Sequence, residues 1–265
     1  MDAKTEQHQN IVVRFAGDSG DGMQLTGTNF TLATALYGNN LSTFPDFPAE
    51  IRAPVGATFG VSAFQIYFGS EDVTTAGDEV EVLVAMNPAA LITNLKYLIE
   101  GGLVIVDTGA FNAKNLAKAK YLSNPLEDGS LQAYKVLAID IHSQVIAAVE
   151  EFGLSHKMSL RCKNMWTLGL VFWLFDRDKQ STIDGLKAKF ANKPDIANFQ
   201  IDSSNECVYI ADNPKKDFIT PNALGWLTIQ VNDSGRNIHP QDITVKSSQK
   251  AKLKVNQLKE LVNYV

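Results

Sequence analysis

Between the apolar run Ile11-Val12-Val13-Arg14-Phe15 and a helical stretch from Met23 to Tyr37 the chain reads Ala16-Gly17-Asp18-Ser19-Gly20-Asp21-Gly22. The first run has the length and apolarity of a buried strand. A strand that stops in three glycines and restarts as a helix leaves backbone N–H groups without partners at the helix N-terminus. Together with the helix dipole, those groups attract an anion. In an open α/β sheet, ligands gather at the carboxyl ends of the strands, where this turn would lie. Gly17, Asp18, Ser19, Gly20, Asp21 and Gly22 are therefore the first candidate site residues.

The rest of the chain supports an α/β reading. Val80 to Met86 and Leu103 to Asp107 are apolar runs of strand length, and Tyr134 to Ile139 is another. Asn87-Pro88 opens a helix whose Leu91, Leu95, Leu98 and Ile99 share one side and which should end at Gly101-Gly102. Asp140 is placed to cap a helix through Val145, Val149 and Phe152. Met165, Leu168, Gly169, Phe172 and Phe175 recur at helical spacing, and Ser181 to Phe190 is a further amphipathic helix. Trp166 and Trp173 either pack or face a partner. This alternation predicts βαβ units in a three-layer α/β/α domain with a mostly parallel sheet. Phe59 to Phe68 has period-two character and is expected at a sheet edge or antiparallel, so the sheet could be mixed. The α/β domain is assigned to residues 1–193. Residues 194–265 are a C-terminal extension of unassigned fold. Its last part, Leu253 to Val265, reads as a helix that the chain leaves unfinished, so a further domain is expected downstream.

Composition narrows the function classes. The formal net charge of -5 and the absence of a basic stripe argue against general nucleic-acid binding. The basic cluster Lys246 to Lys254 reads as a solvated linker or helix face. No apolar run is long enough to span a bilayer, and the polar N-terminus has no signal-peptide core. The two cysteines, Cys162 and Cys207, stand far apart. A disulfide framework is not expected, nor is a zinc or iron–sulfur site made by this chain alone. These features suit a cytoplasmic protein.

Each motif has competing readings. The order Gly17-x-x-Gly20-x-Gly22 is neither a dinucleotide fingerprint nor a P-loop. Asp18 and Asp21 would repel a phosphate unless a cation or an arginine intervenes, so a plain tight turn stands beside a binding loop. Gly20-Asp21-Gly22 with Asn39-Asn40 imitates a thiamine diphosphate motif, but the gap is too short, and Gly38-Asn39-Asn40 reads as the turn ending the first helix. The segment Thr43 to Gly56 carries three prolines and one arginine, Arg52. Prolines force extended geometry, and long ordered loops of this kind are usually functional. Arg52 is either a surface partner of Glu50 or Asp46 or a fork-shaped anion binder. Asp107-Thr108-Gly109 closes a strand, with Asp107 read as a helix cap or a site residue. His142 and His156 have no neighbouring nucleophile or ligand pattern and read as structural. Asn164 reads as a cap or a partner contact.

Taken in order, these pieces resemble one family: Ala16 to Met23, Pro48-Ala49-Glu50-Ile51-Arg52, Val61-Ser62, Ala85-Met86-Asn87, Val106-Asp107-Thr108-Gly109 and Lys163-Asn164-Met165 with Leu168-Gly169. The chain resembles the gamma domain of the 2-oxoacid:ferredoxin (acceptor) oxidoreductases, and more narrowly the N-terminal part of the alpha subunit of the 2-oxoglutarate type. The likeness runs from roughly Asn10 to Phe175. It implies a domain of a cytoplasmic, oligomeric enzyme that decarboxylates a 2-oxoacid on thiamine diphosphate. That enzyme passes electrons through iron–sulfur clusters to ferredoxin and delivers the acyl group to coenzyme A. Thiamine diphosphate, magnesium and the clusters would reside on other domains or subunits, which matches the lack of Cys motifs here. Coenzyme A is the one cofactor this segment is a candidate to touch, through Gly17 to Gly22 and Arg52, and it carries no catalytic residue or metal ligand. Ala53-Pro54 replace two glycines of the family pattern and stiffen the loop, and Asp18 and Asp21 replace glycine and glutamine of other branches. Two alternatives remain: a free-standing nucleotide- or phosphate-binding enzyme, and a ligand-free docking module that covers a partner with Trp166, Trp173 and the proline-rich loop.

Overall fold

The computed structural model describes residues 10–50, 53–205, 208–211, 227–231, 246, 249–251 and 253–255. The strand predicted from Ile11 extends to the first glycines, as β1 (Asn10–Asp18). It occupies the middle of a six-stranded sheet in the order β2-β3-β1-β4-β5-β6. The other strands are β2 (Asn40–Asp46), β3 (Val61–Gly69), β4 (Val80–Ala85), β5 (Leu98–Asp107) and β6 (Lys135–Ile139). β1, β4, β5 and β6 run parallel, whereas β3 is antiparallel to both β1 and β2.

Side chains alternate across β1. Val13 and Phe15 enter one core with Phe64, Ile66, Val84 and Ile105, and Val12 and Ala16 enter the other with Leu83, Val104 and Val106. Helices α1 (Met23–Leu36), α4 (Ile141–Ala148) and α6 (Lys163–Leu174) supply Phe30, Val145, Met165 and Phe172 to the first core. Helix α2 (Pro88–Asn94) supplies Ala90 and Leu91 to the second. Covering both faces produces the three layers expected from the βαβ pattern. The remaining helices are α3 (Ala113–Lys118), α5 (His156–Ser159), α7 (Gln180–Lys189) and α8 (Pro194–Asn205). Ile196 of α8 packs against the first core. A second sheet joins β7 (Val208–Ala211), β8 (Leu227–Val231) and β9 (Leu253–Val255), all parallel. Among the described residues no helix is long and apolar enough to cross a membrane.

Two expectations change, for the helix after Asn87 and for Leu253–Val255, and two resolve to one of their alternatives, β3 as antiparallel and the tryptophans as packed. β3 is not an edge: it lies between β2 and β1, and the start of the proline-rich segment, through Asp46, forms the strand outside it. Pro45 is tolerated there because an edge strand can spare a ladder donor. The helix after Asn87 stops at Asn94, followed by one tight turn over Leu95–Tyr97, and Leu98 already pairs with Val80. The helical spacing of Leu91, Leu95 and Leu98 is local and loses to the ladder, with a break in register between Val80 and Val82 near the left-handed Gly101 (φ +76°). Leu253–Val255 is a strand rather than the start of a helix, and residues 256–265 lie outside the described region. Trp166 is buried in the first core, and Trp173 packs against that core, so neither forms a free docking face.

Helix α1 crosses the sheet closely at Gly27. A Cβ there would lie 2.8 Å from Phe64 Cβ and closer still to its ring. Three residues on, Phe30 meets Phe15 and Phe68 edge to face, stacks on Phe172 and tilts against Phe175, at centroid distances of 5.8, 5.5, 6.2 and 5.6 Å. Gly27→Ala should gain about 1 kcal/mol of helix propensity yet push the helix off its aromatic neighbours. Overpacking of this kind costs about 1–3 kcal/mol, so a net loss is expected. A lower urea unfolding midpoint at unchanged slope checks it; an unchanged or raised midpoint contradicts the close crossing.

Candidate functional site

The glycine turn folds onto itself first. Asp21 N donates to Asp18 O and Asp18 N donates to Asp21 Oδ2, both at 2.9 Å. Ser19 N donates to Gly60 O at 3.2 Å. Three of the donors expected to be bare are thus used inside the protein. The N-terminus of α1 is what stays open. Gly22, its N-cap, is left-handed (φ 78°), no side chain caps the helix, and its first turn holds no acidic residue. Gly22 is required twice over: by that φ, and because a Cβ would sit 2.7 Å from Asn164 Nδ2. Asn164 is therefore neither a cap nor an exposed contact. It is a buried residue of α6 whose amide lies against the turn, while its main-chain oxygen accepts from Thr26 Oγ1 at 3.3 Å.

Asp18 ends β1 with its side chain inside. Its two carboxylate oxygens accept from Gly56 N at 3.2 and 3.0 Å, and the Asn87 side chain also bonds it. Asn87 does double duty, because its Oδ1 also caps α2 through Ala90 N at 2.8 Å. Burial, reinforced by the nearby Asp21 charge, pushes the Asp18 carboxyl above the usual range; Gly56, Asn87 and the Lys163 charge oppose that rise. The proline-rich segment thus reaches the turn through Gly56 and Gly60. Arg52 itself lies outside the described residues.

Beside the turn is a cavity of about 310 Å³. It is lined by Gly20, Asp21 and Gly22 of the turn, by Arg161, Cys162 and Asn164 around the start of α6, and by Ile196 and Gln200 of α8. Gly17, Asp18 and Ser19 are not among its lining residues. Arg161 is the cationic side chain of that lining, and the sequence reading passed over it. The only local signal was its place two residues before a helix, in Arg161-Cys162-Lys163-Asn164. Cys162 is a buried free thiol pushed up to about 11 by desolvation, so it stays protonated near neutral pH and is a poor nucleophile. Cys207 lies outside the described residues.

Asp107 is not a cap. It is fully buried at the end of β5, with its Oδ2 2.7 Å from His142 Nδ1 and 3.4 Å from Lys163 Nζ. A polar row therefore follows the carboxyl ends of the parallel strands: Asp18 on β1, Asn87 after β4, Asp107 on β5 and Asp140 after β6.

Residues 12–202 match the family described as pyruvate ferredoxin/flavodoxin oxidoreductase. The chain belongs to this family. Within it, the chain is 50% identical over 193 residues to the 2-oxoglutarate oxidoreductase subunit KorA of Mycobacterium tuberculosis, covering 73% of this chain and 30% of that relative. Among solved structures it is similar to the 2-oxoglutarate:ferredoxin oxidoreductase of Magnetococcus marinus, a structure with 2-oxoglutarate, coenzyme A and succinyl-CoA bound. That match has a TM-score of 0.57 and 24% identity, over 75% of this chain and 30% of the other. The family shares the α/β fold seen here. This chain spans about 30% of the length of each of these two proteins.

The raised Asp18 pKa has a signed consequence for stability. A carboxyl whose folded pKa exceeds its unfolded one binds more protons when folded, so stability falls as pH rises from the ordinary carboxylate range through the raised value. Asp18→Asn keeps an acceptor for Gly56 N and removes that fall. The expected result is a melting-temperature difference, wild type minus variant, that becomes more negative from pH 4 to pH 7. A difference that grows more positive would contradict the burial-driven shift.

Proposed function

We propose that this chain is the gamma-type domain of a thiamine-dependent 2-oxoacid:ferredoxin oxidoreductase, and that the cavity between the glycine turn and α6 takes part of coenzyme A. In this reading the 2-oxoacid is 2-oxoglutarate. The 50% identity to a 2-oxoglutarate oxidoreductase subunit supports that substrate, and the coenzyme A and succinyl-CoA in the M. marinus structure support the cofactor. The observation that carries the site is the cavity itself, lined by both the uncapped α1 N-terminus and Arg161. Helix N–H groups and a guanidinium are both suited to the phosphates of coenzyme A. Arg161 thereby supplies the cation that Asp21 makes necessary, and Arg52 is a second candidate from the proline-rich loop. The domain holds no thiamine, magnesium or iron–sulfur ligand of its own in this reading; those belong to partner domains or subunits of an oligomeric cytoplasmic enzyme, which passes its electrons to ferredoxin.

The test is calorimetric titration of the chain with coenzyme A. Arg161→Ala should weaken binding about tenfold or more, as expected for loss of a charge-assisted contact worth about 1.5–3 kcal/mol. Asp21→Asn should strengthen it, since the amide keeps the bond to Asp18 N and removes a like charge. Absence of binding, or equal affinity in all three proteins, would overturn the assignment of this cavity.

A contact with the rest of the enzyme is favoured by a separate observation. Leu25, Leu32 and Leu36 share the outer side of α1 at helical spacing and are exposed, as is Tyr37 beyond them. A row of this kind is too regular for scattered surface apolars. Leu32→Glu with Leu36→Glu should change stability by less than about 0.5 kcal/mol, as surface substitutions do, while abolishing co-purification with the thiamine-binding subunit. Retained co-purification would remove this face from the contact.

A further inference from the structure

The polar row at the carboxyl edge ends in a second group of side chains, none of which lines the cavity. Asp107 closes β5, Asp140 caps α4 and His142 lies in the first turn of that helix. One donor atom from each lies within 4.8 Å of the others. His142 Nδ1 and Asp107 Oδ2 are 2.7 Å apart. That contact is an ion pair whose angles miss hydrogen-bond geometry, and the other oxygen of the fully buried Asp107 carboxylate, Oδ1, is buried with no hydrogen-bond partner. Donors held at about 2.0–2.2 Å from a tetrahedral metal stand about 3.3–3.6 Å from each other, so this pair would part by more than half an ångström to admit an ion.

Gly109 supports the same reading. A Cβ at this position would lie 2.7 Å from His142 Nδ1 and 2.8 Å from Asp140 Oδ1. Any side chain would fill the space on which those donors converge. Asp140 already accepts from Ser143 N at 3.1 Å and Ser143 Oγ at 2.6 Å, which fixes its carboxylate and leaves it further lone pairs. The charge count also leaves room for a cation. Two carboxylates face one ammonium, Lys163, whose Nζ is 3.4 Å from Asp107 Oδ2.

We propose that Asp107, Asp140 and His142 form a binding site for a divalent transition-metal ion. A mixed set of one imidazole nitrogen and two carboxylates suits zinc, manganese or iron(II) better than magnesium, which prefers oxygen alone. Three protein ligands leave coordination positions open on the side where Asp140 meets solvent. Lys163 offsets one carboxylate, and the ion offsets the other while giving the buried Asp107 Oδ1 the partner it lacks. The site is independent of the cavity assigned above, and its test does not involve coenzyme A.

Zinc is titrated into the 265-residue chain by calorimetry, with cobalt(II) absorption as the spectroscopic readout. The expected result is one ion per chain and a visible cobalt spectrum, with binding weakened at least tenfold in both His142→Ala and Asp140→Asn. His156→Ala, an exposed histidine elsewhere, should bind as wild type. Asp140 is exposed and its variant should fold, so it decides the matter if His142→Ala does not. Substoichiometric binding, or binding unchanged in Asp140→Asn, would mean an adventitious ion only and would overturn the proposal.

Discussion

Lys163 stands between two buried carboxylates, and the carboxyl edge of the sheet is organised around it. Asp107 is fully buried 3.4 Å from its ammonium, and its charge also draws the Asp18 carboxyl down against the rise imposed by burial. A buried carboxylate is tolerated only when paired and hydrogen-bonded. Since Asp18 ends β1 and Asp107 ends β5, one side chain from the start of α6 couples strands separated by β4. The start of α6 is also where Asn164 meets Gly22 and where Arg161 and Cys162 reach the cavity. Position, charge balance and site geometry therefore depend on the docking of one helix end.

That docking rests on an apolar layer beneath it. Gly27 lets α1 approach β3, and Phe30 then gathers aromatic side chains from β1, β3 and α6 with its neighbour Phe175. The opposite layer has a polar exception. Arg14, inside the first strand, is almost wholly buried yet bonded to Asn94 Oδ1 at 2.7 Å, Gln65 Oε1 at 3.0 Å and the Asp46 carboxylate, with the Tyr97 ring 4.8 Å away. These partners come from β2, β3, α2 and the turn after it. The arginine adds polar contacts from β1 to β3 and to the edge strand β2, which a slip in register would break.

Much of the site was legible in part. The glycine turn was readable because a strand run, glycine and a helix run are local signals, and Gly22 adopts the left-handed conformation that its residue type suits. Its chemistry was misjudged in one respect. The donors of Asp18, Ser19 and Asp21 bond within the protein, to partners on the turn and on Gly60. Distance along the chain hid the rest. Arg161 follows Gly22 by more than a hundred residues, and His142 looked isolated because Asp107 is far away in sequence and adjacent only through the pairing of β5 with β6.

The amino-acid sequence alone determined the alternation of apolar strands with helices, the turn that ends β1, the helix start at Asn87-Pro88, the capping role of Asp140, and thereby the α/β class. Each of these depends on neighbours within a few residues, where backbone sterics and side-chain periodicity act directly. Only the tertiary structure decided the insertion of β3 between β2 and β1, the end of the Asn87 helix at Asn94, the burial of Trp166, and the convergence of Asp107, Asp140 and His142. Those outcomes follow from strand pairing and layer packing across long separations, where ladder hydrogen bonds and buried area outweigh local preference.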